Sequence, residues 1–119
     1  EDVLLEITKR RLAERQDSCQ KLVDLGANLV AGSDSGWNNY PMGRFQREVE
    51  EMLDIGFSNM EAILSGTREA AKSIGMSQLV GTLEPGKEGD ILVVNGNPLQ
   101  DIKALSNVSA VFKAGVQEV

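Results

Sequence analysis

Apolar positions fall at helical spacing through residues 1–25. Leu5, Leu12, Cys19, Leu22 and Val23 share one face, and Lys, Arg, Glu and Gln fill the rest. Gly26, free to take a positive φ, is placed to stop that helix. The pattern then changes. Residues 27–31 form an apolar run too short for a helix and too apolar for a half-exposed strand. Such a run predicts a strand covered on both faces, as in parallel sheets flanked by helices. Helix, short loop and buried strand make the αβ half of an α/β unit.

Beyond it, Trp37-Asn38-Asn39-Tyr40-Pro41-Met42-Gly43 has the composition of a loop. Phe45, Val49, Met52 and Leu53 then mark an apolar stripe on a helix that ends near Gly56. Ser58 and Glu61 form a capping-box pattern opening a helix with Met60, Ile63 and Leu64. Gly66 and Thr67 predict a break or a close passage, and Ala70, Ala71 and Ile74 carry the pattern on to Gly75. From Gly81 the chain becomes turn-rich and β-like. Residues 90–94 read as a strand, and Asn97 and Pro98 as the cap and first position of a short helix through Leu105. Residues 108–113 and 116–119 read as two strands joined at Ala114-Gly115. The chain thus divides into an α/β region, residues 1–80, and a β-rich region, residues 81–119. One α/β strand cannot make a sheet, so its faces need neighbours this chain does not supply.

Composition narrows the chemistry. A chain of 119 residues is one domain by length. With 12 Lys and Arg against 18 Asp and Glu, the net charge of -6 argues against a nucleic-acid partner. The run Lys9-Arg10-Arg11 is interleaved with acids and reads as a solvated helix face. The single Cys19 allows no intrachain disulfide, and without a signal-like or membrane-spanning stretch the expected compartment is cytoplasmic. There is no histidine at all. That excludes Ser-His-Asp and Cys-His catalysis within the chain, as well as imidazole-bound zinc.

The strongest candidate for chemistry is Asp34, in Gly32-x-Asp34-x-Gly36 directly after the predicted strand. Three readings compete. Asp34 caps the turn, an ordinary role for Asp among small residues. Alternatively it is a nucleophile in a strand–turn–helix elbow, a reading the lack of a histidine base disfavours. Or it is a carboxylate at the end of a barrel strand, where such barrels keep their active sites. Trp37 and Tyr40 follow closely enough to line a pocket or simply to cover the strand end.

Several segments in order resemble the C-terminal third of the amidohydrolase superfamily, near its prolidase-like and imidazolonepropionase-like members. Ala31-Gly32-Ser33-Asp34-Ser35-Gly36 resembles the motif at the end of the eighth barrel strand, and residues 67–75 the helix that follows. Residues 81–90 resemble the entry into the family's small β domain, and residues 97–102 and 111–115 its ending. The likeness spans about residues 20–119, and residues 1–21 suit the seventh barrel helix. It implies the last helix–strand unit and following helices of a (β/α)8 barrel, plus the C-terminal strands of a small β-sandwich, incomplete as a barrel. It also implies that Asp34 contacts a divalent metal, zinc by preference, and shuttles a proton during hydrolysis of an amide, dipeptide or cyclic amide. Trp37, Asn38 and Tyr40 would then stand in the eighth loop near substrate.

The family's other ligands, histidines on earlier strands, have no counterpart here. The chain alone is therefore expected to bind no metal tightly, to lack activity, and to associate with the rest of the barrel or with other copies. The competing expectation is a non-catalytic remnant or interaction module in which Asp34 only caps a turn. If the barrel is incomplete, residues 27–31 and 91–94 should show apolar surface.

Overall fold

A computed structural model describes residues 2–36 and 42–119. The first helix, α1, runs Asp2–Asp24, as its periodicity predicts. Gly26 ends it at φ 83°: the Gly26 N–H donates to Val23 O at 2.8 Å and the Ala27 N–H to Leu22 O at 2.9 Å. These paired bonds satisfy carbonyls the helix would otherwise leave bare, and the left-handed residue they require is cheapest as glycine. Among the described residues, no helix is long and apolar enough to cross a membrane.

Residues 27–31 are not a strand. A ladder needs a second strand, and among the described residues none pairs with this run. Its last residue is tied to the helices by a backbone bond, from the Ala31 N–H to Ser65 O at 3.2 Å.

The helix predicted over residues 45–56 is two pieces, α2 (Phe45–Glu51) and a 3-10 helix (Met52–Ile55), stopped by Gly56 at φ 95°. A Cβ at Gly56 would stand 2.2 Å from the Gln20 side chain, so this is where the end of α1 seats. Next comes α3 (Asn59–Ser65), opened by the predicted capping box: the Ser58 hydroxyl accepts from the Glu61 N–H, and Glu61 accepts from the Ser58 N–H at 2.8 Å. After the break at Gly66 and Thr67, α4 (Arg68–Ser73) brings Ala71 against Gly81, whose missing Cβ would lie 2.6 Å from that of Ala71.

A three-stranded antiparallel sheet closes the chain, with β1 (Ile91–Val94) at one edge, β2 (Val108–Lys113) central and β3 (Val116–Gln117) at the other edge. Ala114 and Gly115 take φ of 50° and 81°, the geometry a two-residue hairpin with right-handed twist demands. The third strand is shorter than predicted, although Glu118 and Val119 still exchange backbone bonds with Val111. The helix predicted from Asn97 to Leu105 is also divided. Asn97 caps a single turn, accepting from the Leu99 N–H at 3.0 Å, and a separate 3-10 helix, Ile102–Ser106, is capped by Asp101.

The buried core is small: Ala31, Val49, Ala62 and Ile102, with Met52, Leu53, Phe57, Ile63 and Leu105 packed around it. It draws on both sequence regions, since Ile102 belongs to the β-rich part. The observed architecture is an incomplete α/β fold, a set of helices with a small antiparallel sheet.

Candidate functional site

The Asp34 turn is built from small residues on an extended arm. Ala31 is buried in the core, and Gly32 leads out of it. Nothing lies within 4 Å of where a Cβ on Gly32 would be, so the arm is open on that side. Asp34 itself is exposed and takes φ 46°, one of two described non-glycine residues with positive φ. That region is strained for most side chains, and Asp tolerates it better than most. The other such residue, Ala114, is explained by its hairpin; Asp34 has no ladder to demand its geometry.

Among the described residues, the turn's side-chain hydrogen bonds join its two serines. The Ser35 N–H donates to Ser33 Oγ at 3.3 Å, and the Ser35 hydroxyl donates to the same oxygen at 2.7 Å. The Ser33 hydroxyl oxygen thus accepts twice from Ser35 within the turn. Of the residues read as its neighbours in the site, Trp37, Asn38 and Tyr40 lie outside the described residues.

A second tether reaches the arm further back. Asn28 Nδ2 donates to Glu69 Oε2 at 3.5 Å, the long limit for such a bond. Glu69 also accepts from Arg68 Nε at 2.6 Å and from Lys72 Nζ at 3.1 Å, and these charge-assisted bonds, Arg68 first, hold its carboxyl below the usual carboxylate range. Periodicity cannot show that Glu69 meets Asn28, because that pairing is decided by where α4 lies. The same holds for a cavity of about 350 Å³ between the helices and the sheet, lined by Phe45, Val49, Ile63, Leu92, Leu105 and Val108 among others.

A catalytic metal asks for about three protein ligands. Among the described residues, no group of three or more His, Cys, Asp and Glu side chains is placed to hold one, and the sequence contains no histidine. Asp34 by itself does not fit such an ion.

Comparison with known proteins places this geometry. The profile described as "Amidohydrolase family" matches residues 3–117. The chain is 31% identical over 94 residues to an imidazolonepropionase of Geobacillus kaustophilus (strain HTA426), covering 78% of this chain and 22% of that protein. Its fold superposes on a prolidase candidate from Bifidobacterium longum with a TM-score of 0.84 at 32% identity, covering 98% of this chain and 29% of the other. A Xaa-Pro dipeptidase solved with methionine in its active site gives a TM-score of 0.77 at 34% identity, covering 86% and 25%. The chain thus spans between a fifth and a third of the length of these relatives. Their names differ, so the similarity reaches the superfamily and does not choose between its prolidase and imidazolonepropionase members.

Proposed function

The chain belongs to the amidohydrolase family, and from that premise we propose that it is the C-terminal portion of a metal-dependent amidohydrolase. The whole enzyme hydrolyses a C–N bond in an amide, a dipeptide or a cyclic amide. Asp34 accepts the proton of the attacking water and returns it to the leaving nitrogen, the paired duties of a general base and acid. The donors that hold the metal belong to the remainder of the barrel, as do most of the loops that select substrate. Trp37, Asn38 and Tyr40 contribute from the one loop this chain carries.

The observation that carries this reading is the presentation of Asp34. It is an exposed carboxylate in a left-handed turn whose hydrogen bonds come from Ser33 and Ser35, in a chain that matches the family over nearly its whole length. The exposed apolar surface agrees with a partner barrel. Val3, Leu4, Leu5 and Leu25 stand in solvent, and so do Val30, Leu92 and Val93 from the two segments expected to be uncovered.

The test compares the 119-residue chain with the same chain extended by the sequence upstream of Glu1 in its gene. Zinc content and dipeptide hydrolysis are measured in each. Metal and activity are expected only in the extended protein, and Asp34→Asn there should lower kcat by about a hundredfold or more. Hydrolysis by the 119-residue chain alone would overturn the reading, as would full activity of the Asp34→Asn protein. Neither metal nor activity in the extended protein would favour the non-catalytic remnant.

A further inference from the structure

The turn that leaves β1 carries Asn95-Gly96, and both residues are exposed. The backbone of Asn95 is held at the end of the β1–β2 ladder. Its N–H donates to Asn107 O at 2.8 Å, and its carbonyl accepts from Asn107 Nδ2 at 3.3 Å. Among the described residues, nothing bonds to the Asn95 side-chain amide or to the Gly96 N–H. Gly96 takes φ 102° and has no side chain to shield that nitrogen. An asparagine amide carbon thus stands next to an unoccupied, unshielded backbone nitrogen. The other described asparagines are each blocked. Asn28 donates to Glu69 and Asn59 to Leu99 O, so their side chains are engaged. Asn97 is followed by Pro98, whose nitrogen carries no proton. Asn107 is engaged with Asn95 and is followed by the β-branched Val108, which crowds its nitrogen.

We propose that Asn95-Gly96 is a site of spontaneous covalent modification, in which Asn95 deamidates to isoaspartate and aspartate. The Gly96 nitrogen gives up its proton and attacks Asn95 Cγ. A Cγ–N bond forms to Gly96, the Cγ–Nδ2 bond breaks, and the amide nitrogen leaves with that proton as ammonia. Water then opens the five-membered imide. Opening at Cγ gives aspartate, and opening at the main-chain carbonyl gives isoaspartate. Either product adds one negative charge to a chain already at -6. In the isoaspartyl product the main chain passes through Cβ and Cγ and is one carbon longer. The carbonyl that Asn107 Nδ2 bonds becomes part of a free carboxylate. A Cβ at Gly96 would stand 3.3 Å from that of Ala104, so the longer turn has little slack on the side of the 3-10 helix that carries Ile102 into the core. The modification therefore loosens the join between β1 and that helix.

The test holds the 119-residue chain at pH 8 and maps its peptides by fragmentation mass spectrometry, with isoaspartyl methyltransferase labelling as the second readout. The amide-to-acid mass gain should appear at Asn95 at least about tenfold faster than at Asn59 or Asn107, whose engaged side chains must first open. The rate at Asn95 should stay within about threefold of its value in urea, because the fold does not protect it. Asn95→Gln, which keeps the amide but would have to close a six-membered ring, should lose both signals at this position. Conversion at Asn95 no faster than at Asn59 and Asn107 overturns the proposal, as does a rate slowed more than about threefold by folding. The deamidated fraction, separated by ion exchange, should unfold in urea with an equilibrium constant raised about fivefold, as for one lost hydrogen bond. Asn95→Asp, which adds the charge without the extra carbon, should match the unaltered chain. A deamidated fraction as stable as the unaltered chain overturns the loosening alone, since the mass gain is read separately.

Discussion

The two ends of this chain are equally well formed locally and unequally finished. The stretch from Ser58 to Val119 closes on itself. Two of its helix starts are capped, by Ser58 and Asp101, its hairpin turns at Ala114-Gly115, and Asp90 ties the start of β1 to the end of β2 by accepting from Lys113 Nζ at 2.5 Å and the Ala114 N–H at 2.8 Å. The first helix and the arm after it have good local chemistry too, with Lys21 and Asp17 paired at 2.6 Å and a fully bonded C-terminus. Yet α1 has only its last turns half-buried, around Gln16, Cys19, Gln20 and Val23. Local signals suffice to make a helix; only a partner makes its apolar face useful.

The largest effect is expected where the two ends meet. Ile102→Ala empties a place in the core shared with Ala31, Val49 and Ala62, and should cost about 2–4 kcal/mol in urea unfolding. A cost under about 1 kcal/mol would mean that the arm and the β-rich part do not share a core. Next comes the capping box: Ser58→Ala should cost about 1 kcal/mol, because the Glu61 N–H loses its acceptor.

Acid should separate the ends further. Ser58 holds Glu61 below the ordinary value of 4.5, Arg68 does so for Glu69 and Thr82 for Glu84, each by a side-chain hydrogen bond. A bond from Lys113 likewise holds Asp90 below 3.8. The unfolded chain therefore takes up protons at higher pH than the folded one. This stabilisation is complete above the ordinary carboxylate values and fades as pH falls through the depressed ones. Glu51 opposes it, its carboxyl raised first by desolvation and then by Glu48 and Asp54. Urea midpoints should fall between about pH 6 and pH 3, and by less than the cap deletion, since these groups are exposed. A midpoint that rises on acidification would show that Glu51 dominates.

The smallest effect should come from the far end of α1. Replacing Val3, Leu4 and Ile7 together by Ser should change the stability of the 119-residue chain by less than about 0.5 kcal/mol, since all three are exposed. The same triple change should weaken association with the rest of the barrel. A large loss of stability in the chain alone would mean that α1 is already packed.

How much of this was legible in residues follows from where the information lies. Periodicity and punctuation determined α1, the capping box, the break at Gly66 and the hairpin at Ala114-Gly115, because each rests on groups a few residues apart. Sequence reasoning failed at residues 27–31, where an apolar run implies a strand, but strand pairing is a property of two segments and none pairs with this one among the described residues. It also ran the Asn97 turn into a longer helix, since a single cap does not reveal that Asp101 starts afresh. Only the tertiary structure decided that Ile102 joins the helical core and that the Ala31 N–H meets the Ser65 carbonyl at the buried end of α3. Those contacts join residues far apart in the chain, and the close packing that selects them leaves no periodic trace along it.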